Sequence, residues 1–432
     1  MGARGLERIA HDVEGFQRLA QELRENPTEQ AMLMLPLLDA ATSDRKKLIE
    51  VVERGQPWVA AWYALGPEVM AAMDLTWYCI GTSLLAGPFL GLEEYFIDDL
   101  EACDRLEIPT DSCTLLRLAV YAVEAGLVPR PTAILGSTGP CDSFGLYHDA
   151  IRRSEGWRDV PMFTFDPAYW NDERSLDYAT EQLRELVSFL EDHTGKRLDM
   201  DRLREIVEET NRQYALWTEY NELRRAVPCP HGSFVGFAAF TVTQSSSTMV
   251  GSPMATRLLE ALVADAEQRV RDGRGAVENE KIRMLWFDVR PTWSNELSEW
   301  LEAECRANVV MDMYSFCPYT QIDPSTEATM FRGLAKRYVY DMPMIRQARG
   351  LATNFVEDIT RIIQDYKINC FFYPGHMGHK DAAASLGIMR KLCQNLGVPF
   401  IAIGMDAWDP RYTTMDAMKE HFLQFFETLE FR

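Results

Sequence analysis

The sequence predicts an α/β protein with two flavodoxin- or Rossmann-like parallel-sheet lobes, a helical N-terminal arm and a helical middle. Two observations support this fold class. Short apolar runs typical of buried strands alternate with helical patterns up to about residue 175, and the alternation begins again near residue 281. Between these regions the apolar spacing is that of long amphipathic helices. Strands that alternate with helices favour parallel sheets with right-handed crossovers.

The composition argues against several classes of partner. With 44 Lys and Arg against 65 Asp and Glu, the net charge of −21 opposes binding to nucleic acid and to anionic membranes. No uncharged apolar run reaches the ~18 residues that a membrane span needs. The nine cysteines are scattered without a C-x-x-C pair, and the first 24 residues lack the apolar segment of a secretory signal. We therefore expect a cytoplasmic protein with reduced thiols.

The patterns divide the 432 residues into four segments. Residues 1–55 are the predicted helical arm, 56–175 the first α/β lobe, 176–280 the helical middle and 281–432 the second α/β lobe. No repeat between the two lobes is evident at the level of sequence.

Four apolar runs predict the strands of the first lobe. A short helix begins near Pro67, whose missing N–H costs nothing in a first helical turn. A second helix is expected over residues 144–153. The predicted strands cover residues 58–63, 76–80, 132–137 and 160–166.

The remaining elements follow the same reasoning. Two long helices, separated near Gly195, are predicted between residues 176 and 224, and another over 254–271. The second lobe has four predicted strands and three predicted helices. The strands cover residues 282–287, 308–313, 367–373 and 399–404, and the helices 295–305, 382–396 and 413–429.

Three loops carry the residues with the most informative chemistry: 111–114 with Cys113, 136–142 with Cys141, and 374–380 with His379. The second and third loops each follow a predicted strand. Because the carboxyl ends of parallel strands gather at one edge, where ligands bind, the three side chains are predicted to converge on one metal or cluster.

The residue types alone do not decide which metal or cluster such a site would bind. Two thiolates and an imidazole suit zinc with an open position. They equally suit an iron–sulfur cluster, since clusters take thiolates and sometimes histidine. The plainer alternative is that Cys113 and Cys141 are small buried apolar residues and His379 a loop residue.

Several stretches, taken in order, resemble the benzoyl-CoA reductase / 2-hydroxyacyl-CoA dehydratase family, and most closely its larger iron–sulfur subunits. The resemblance extends over about residues 55–432. No single motif is decisive, but the ordered set is fairly specific. The stretches are residues 66–69, 111–114, 131–142, 190–199, 375–380, 397–399 and 406–411.

The resemblance implies a heteromeric enzyme acting on an acyl-CoA. In this family two homologous subunits pair, each with a 4Fe-4S cluster held by cysteines from two flavodoxin-like halves. A separate ATP-dependent activator protein supplies a low-potential electron. The reaction is radical dehydration of a 2-hydroxyacyl-CoA or reduction of an aromatic acyl-CoA. By this resemblance Cys113 and Cys141 match the first two cluster ligands. The sequence has no G-x-x-x-x-G-K-S/T phosphate-binding loop, so a partner would use the ATP.

The third ligand position departs from the family, because His379 stands where the family has a cysteine. A neutral imidazole in place of a thiolate raises the potential of a cluster. This departure leaves three interpretations. In the first, His379 binds a cluster of higher potential; in the second, the cluster is lost and the chain is a non-catalytic partner subunit. In the third, another cysteine takes the place of the third ligand, and Cys317 is the first candidate. A zinc-dependent hydrolase or lyase using Cys113, Cys141 and His379 is a further alternative.

Two other polar residues are candidates for catalysis. His376 is predicted to contact the substrate or to support a ligand, although an ordinary loop histidine fits the pattern as well. Ser137 is predicted to hydrogen-bond a ligand, with capping of the following helix as the plainer reading.

Overall fold

Two four-stranded parallel sheets organise the chain in the computed structural model, which describes residues 2–61, 65–80, 93–316, 319–349 and 352–429. The eight predicted strands are confirmed, although residues 62 and 63 of the first prediction lie outside the described residues. The strands are β1 Trp58–Ala61, β2 Thr76–Tyr78, β3 Ala133–Ser137, β4 Met162–Phe165, β5 Ile282–Trp286, β6 Ala307–Asp312, β7 Cys370–His376 and β8 Phe400–Met405.

The two sheets have the same strand order. The first runs β2-β1-β3-β4 and the second runs β6-β5-β7-β8, with every pairing parallel. In this flavodoxin-like order the direction of winding reverses between β1 and β3, and between β5 and β7. Ligands bind beyond the carboxyl ends of the strands at such a reversal. The lobes therefore share a topology that the sequence does not reveal.

The N-terminal arm and first lobe contain six helices within the described residues. Two make the predicted arm, and the helix that follows β3 begins directly after Cys141. The helices are Gly2–Glu25, Glu29–Glu53, Pro67–Ala72, Glu93–Cys103, Thr114–Glu124 and Asp142–Arg153. No described helix combines the length and the apolar character required to cross a bilayer.

The helical middle is confirmed, and its boundaries follow local capping. Asp172 accepts a hydrogen bond from the Ser175 N–H at the start of one helix, and Gly195 ends it in a left-handed conformation at φ 70°. The helices are Glu173–Thr194, Met200–Leu223, Ser233–Ser245 and Pro253–Arg271. The boundaries assigned to the four segments stay predictions.

The second lobe differs from its prediction at one predicted helix, and it has three further helical elements between β6 and β7 that the sequence did not predict. The single helix expected over residues 382–396 is two helices that meet at Ser385. The Ser385 hydroxyl donates to the Asp381 carbonyl, a local bond that competes with the helical ladder. The described helices are Glu296–Cys305, Glu327–Lys336, the π-helical turn Arg337–Asp341, Thr353–Asp365, Lys380–Ala384, Leu386–Leu396 and Met415–Glu427.

One apolar core joins the two lobes. Trp58 and Ile134 of the first sheet lie in the same buried cluster as Trp286 and Phe372 of the second. Successive side chains of a strand point to opposite faces, so each sheet directs one face to this shared core and the other to a core of its own. The shared core brings the central strands of both lobes close together.

Candidate metal centre

Three buried side chains from the two lobes converge on one point. Cys113 precedes the helix Thr114–Glu124, His376 is the last residue of β7, and His379 lies three residues further on. Each of these residues offers one atom able to bind a metal, and the three atoms all lie within 4.8 Å of one another. The structure thus brings the predicted residues Cys113 and His379 together and adds His376.

The loop between the two histidines lies directly against Cys113. A Cβ atom on Gly378 would stand 2.4 Å from Cys113 Cα and 2.6 Å from its nitrogen, so only glycine fits this approach. Ser143 contacts both sides, because its hydroxyl accepts from the Cys113 N–H at 3.4 Å and donates to the Gly378 carbonyl at 3.5 Å. These contacts position Cys113 against the His376–His379 loop.

A second polar contact joins the lobes beside the same loop. The Thr114 hydroxyl donates to Asp406 Oδ2 at 2.7 Å, and Asp406 Oδ1 accepts from the Trp408 and Asp409 N–H groups at 2.8 and 3.1 Å. Burial raises the pKa of Asp406 to about 6. The start of the helix that follows Cys113 is thereby attached to the loop after β8.

His379 is held in the orientation of a metal ligand. Its Nδ1 lies 2.6 Å from Asp288 Oδ1, which assigns the ring proton to Nδ1 and leaves the Nε2 lone pair available. Burial lowers the pKa of His379, but the carboxylates of Asp288, Asp381 and Asp406 together outweigh this effect and the net shift is upward. A histidine that ligates a metal commonly donates its other ring N–H to a carboxylate in this way.

Asp288 was missed by the reasoning from sequence. It comes just after β5, at the reversal point between β5 and β7, in a positive-φ conformation (140°) that is uncommon for a residue with a side chain. Such strained backbone clusters at functional sites. The available signal was an acidic residue directly after the predicted strand 282–287.

His376 has the opposite arrangement of its ring nitrogens. Its Nδ1 accepts the Ala407 N–H at 3.2 Å, so the proton of the neutral ring is on Nε2. Nε2 is buried and has no hydrogen-bond partner among the described residues. Burial, and then the neighbouring His379, hold the pKa of His376 well below its usual value, which keeps the ring neutral. His376 therefore offers the site an N–H donor.

Cys141 lies outside the group of three but beside it. It precedes the helix Asp142–Arg153 and, with His379, lines a cavity of about 250 Å³. Burial raises the pKa of the Cys141 thiol to about 12. For Cys113, burial and then the neighbouring Cys141 raise the thiol pKa well above its usual value. A bound cation reverses such shifts, because it stabilises thiolates.

The hydroxyl of Ser137 makes its hydrogen bonds to other residues, and the catalytic role predicted for it stays a prediction. Ser137 is buried at the end of β3, where its hydroxyl accepts from the Gly139 N–H at 3.1 Å and from the Tyr338 hydroxyl at 3.3 Å. These contacts favour a structural role. Cys317, the predicted substitute ligand, lies outside the described residues. Cys370 and Cys393 are buried in an apolar core.

The donors present fit a thiophilic metal group. Two thiols, an imidazole with an available lone pair and a supporting carboxylate match the ligands of iron–sulfur clusters and of zinc. In a four-iron cluster each ligand binds a different iron, which suits the wider set Cys113, Cys141 and His379. A single ion places its ligands within about 4.6 Å of one another, at bond lengths of ~2.0–2.3 Å, which suits the tighter set with His376.

Comparison with known proteins identifies the family of the chain. A family model described as "2-hydroxyglutaryl-CoA dehydratase, D-component" matches residues 66–429. The chain is 22% identical over 306 residues to (R)-2-hydroxyglutaryl-CoA dehydratase, subunit alpha, from Acidaminococcus fermentans, covering 68% of this chain and 59% of the relative. It is 21% identical over 203 residues to the (R)-phenyllactyl-CoA dehydratase alpha subunit from Clostridium sporogenes, covering 45% and 48%.

A further relative covers more of both chains. It is a subunit of the benzoyl-CoA reductase from Thauera aromatica, 22% identical over 360 residues, which is 74% of this chain and 77% of the relative. The chain spans about half to three-fifths of the length of the two dehydratase subunits.

Proposed function

Because this chain belongs to the 2-hydroxyglutaryl-CoA dehydratase D-component family, we propose that it is the metal-binding subunit of an acyl-CoA dehydratase or reductase. The reaction is reductive radical dehydration of a 2-hydroxyacyl-CoA or reduction of an aromatic acyl-CoA. The observation that carries the proposal is the convergence of Cys113, His376 and His379 beside a cavity that Cys141 and His379 line.

The proposed cofactor is a 4Fe-4S cluster held by Cys113, Cys141 and His379. When bound, such a cluster supplies electron transfer and an iron that can accept a substrate oxygen. Asp288 orients His379 through its Nδ1–H, so that Nε2 faces the ligand position. The Nε2–H of His376, which is buried without a partner among the described residues, would donate a hydrogen bond to a substrate oxygen or to the cluster.

The proposed partners follow from the family. They are an acyl-CoA substrate, a homologous second subunit and a separate ATP-dependent activator, all in the cytoplasm. Two of the relatives are named as alpha subunits of dehydratases and one as a subunit of a reductase, which supports a multi-subunit enzyme.

A second candidate function is a zinc-dependent hydrolase or lyase. The metal-binding atoms of Cys113, His376 and His379 lie within 4.8 Å of one another, which favours a single ion. In that case His376 would bind through Nε2, and its proton would move to Nδ1, opposite the Ala407 N–H. Two donors would then face each other in a buried place, which is unfavourable, so the cluster is the better-supported proposal.

The test is the content of iron, acid-labile sulfide and zinc in the complex purified without oxygen. About four iron and four sulfide per chain, lost in Cys113→Ala and Cys141→Ala, would support the cluster. The matched control is Cys393→Ala, a buried thiol in a separate core, which should keep the metal. Zinc without sulfide, retained in Cys141→Ala and lost in His376→Ala, would support the single-ion site. No metal in any preparation would refute both and leave a non-catalytic partner subunit.

A further inference from the structure

The walls of the cavity beside the metal centre are mostly apolar. Thioether and aromatic side chains from several different segments surround it: Phe287, Met313, Met344, Phe355 and Met389. Its volume of about 250 Å³ is below the ~300–1,000 Å³ of sites that enclose a whole drug-sized ligand. It is large enough for a short acyl chain or a small ring, with the rest of a CoA thioester outside.

The charged groups of the cavity are acidic. Asp288 and Asp381 line it, and no lysine or arginine does among the described lining residues. His379 also lines it, but any positive charge on this ring is matched by Asp288 at 2.6 Å. The described lining residues therefore offer a ligand no positive charge that is not already balanced by a carboxylate.

The amide side chain of Gln347, which also lines the cavity, is already engaged. Gln347 donates from Nε2 to Asp358 at 3.0 Å and accepts the Met344 N–H through Oε1 at 2.7 Å. It is buried in this arrangement. A carboxylate on a ligand would thus find acidic neighbours, no lysine or arginine among the described lining residues, and at most the second Nε2 hydrogen of Gln347 as an amide donor.

We infer that this cavity takes an uncharged, apolar acyl group, branched aliphatic or aryl, and rejects an acyl group with a second carboxylate. The inference rests on the proposed function. Burying a carboxylate without a cation or hydrogen-bond donors carries a large desolvation cost. This preference for an uncharged acyl group distinguishes the chain from the relative named for 2-hydroxyglutaryl-CoA, whose acyl group carries a second carboxylate.

The test compares the binding of three CoA thioesters to the metal-loaded complex, without ATP or activator, so that no turnover occurs. The thioesters are 2-hydroxy-4-methylpentanoyl-CoA, 2-hydroxyglutaryl-CoA, and the neutral ω-amide of the latter. We expect the first to bind about 100-fold more tightly than the second, a ratio typical of one poorly compensated buried charge. The amide should bind between them, because it is polar without charge.

A variant of the cavity wall gives a second readout. Met344 is half-buried, so Met344→Lys places a cation of similar length in the wall, and it should improve binding of 2-hydroxyglutaryl-CoA about 10-fold or more. Met344→Leu is the matched control and should leave the preference unchanged. If Met344→Lys does not fold, the comparison of the three ligands on the unaltered protein decides the question.

The outcomes distinguish this inference from the proposed function. Equal binding of the two hydroxyacyl-CoAs, or tighter binding of 2-hydroxyglutaryl-CoA, would overturn the apolar preference and leave the acyl-CoA function standing. Binding of none of the three would overturn both.

Discussion

Asp288 Oδ1 lies 2.6 Å from His379 Nδ1, although the two residues are 91 positions apart in the chain. Asp288 follows β5 and His379 follows β7, the two neighbouring strands at which the second sheet reverses its winding. The pair therefore occupies the place where sheets of this order bind ligands. In this position a carboxylate selects the proton-bearing nitrogen of the ring and leaves the other nitrogen to a metal.

Replacing Asp288 tests this role. We expect Asp288→Asn to weaken metal binding about 10- to 100-fold, because loss of the charged partner lowers the basicity of a ligating histidine. The matched control is Asp265→Asn, which alters another His–Asp contact, partly buried and 2.7 Å to His231. Metal content should be measured after challenge with a chelator. Equal losses in both variants would contradict a specific role for Asp288.

The two histidines should respond differently to the same substitution. His376→Gln should keep its metal, because the role assigned to His376 is that of an N–H donor, and should lower kcat/KM about 10- to 100-fold. His379→Gln should lose metal. Metal analysis and steady-state kinetics of both variants check this. Loss of metal from His376→Gln would instead support the single-ion site.

The resemblance to the family implies a cysteine at position 379, and this predicted departure can be reversed. His379→Cys replaces a neutral ligand by an anionic one, and we expect the reduction potential of a bound cluster to fall by on the order of 100 mV. A redox titration followed by electron paramagnetic resonance measures this shift. An unchanged potential would show that residue 379 does not bind the cluster.

The contact between Gly378 and Cys113 predicts a strong effect of one methyl group. Gly378→Ala should destabilise the protein by about 1–3 kcal/mol and lower its metal content, because the new Cβ would meet Cys113 backbone. Gly387→Ala is the control, since its Cβ would meet nothing within 4 Å. Thermal unfolding and metal analysis of the two variants should differ. Similar behaviour of both would contradict the close approach.

His148 predicts a loss of stability in acid. Burial lowers the pKa of His148 to about 4, and both ring nitrogens have no hydrogen-bond partner among the described residues. The unfolded chain, with a histidine pKa of ~6.5, binds the proton first, so stability is full above pH ~6.5 and falls towards pH 4. At pH 5 the loss should be about 2 kcal/mol.

Urea unfolding at pH 5.0 and 7.5 checks this prediction. His148→Leu should lose less stability between the two pH values than the unaltered protein, by about the same 2 kcal/mol. His193→Leu, at an exposed position, should keep the full pH dependence. If His148→Leu retains that dependence, other groups are responsible for it.

Local patterns in the sequence determined most of the fold. All eight strands and the long helices of the middle segment follow from apolar spacing. The reason is that the period at which apolar residues recur in an element indicates whether it is a helix or a strand and which face it buries. The convergence of Cys113 and His379 was also predicted, although only His379 follows a strand and Cys113 lies between two helices. The identical strand order of the two lobes did not follow, because order depends on which strands pair across long stretches of chain.

Only the tertiary structure decided the chemistry of the two histidines. His376 and His379 are three residues apart and identical in type, yet Ala407 assigns the proton of one to Nε2 and Asp288 assigns the proton of the other to Nδ1. Each partner comes from a distant segment, so nothing in residues 374–380 distinguishes a donor from a ligand. The same holds for Gly378, whose need to lack a side chain arises from the backbone of Cys113 in the other lobe.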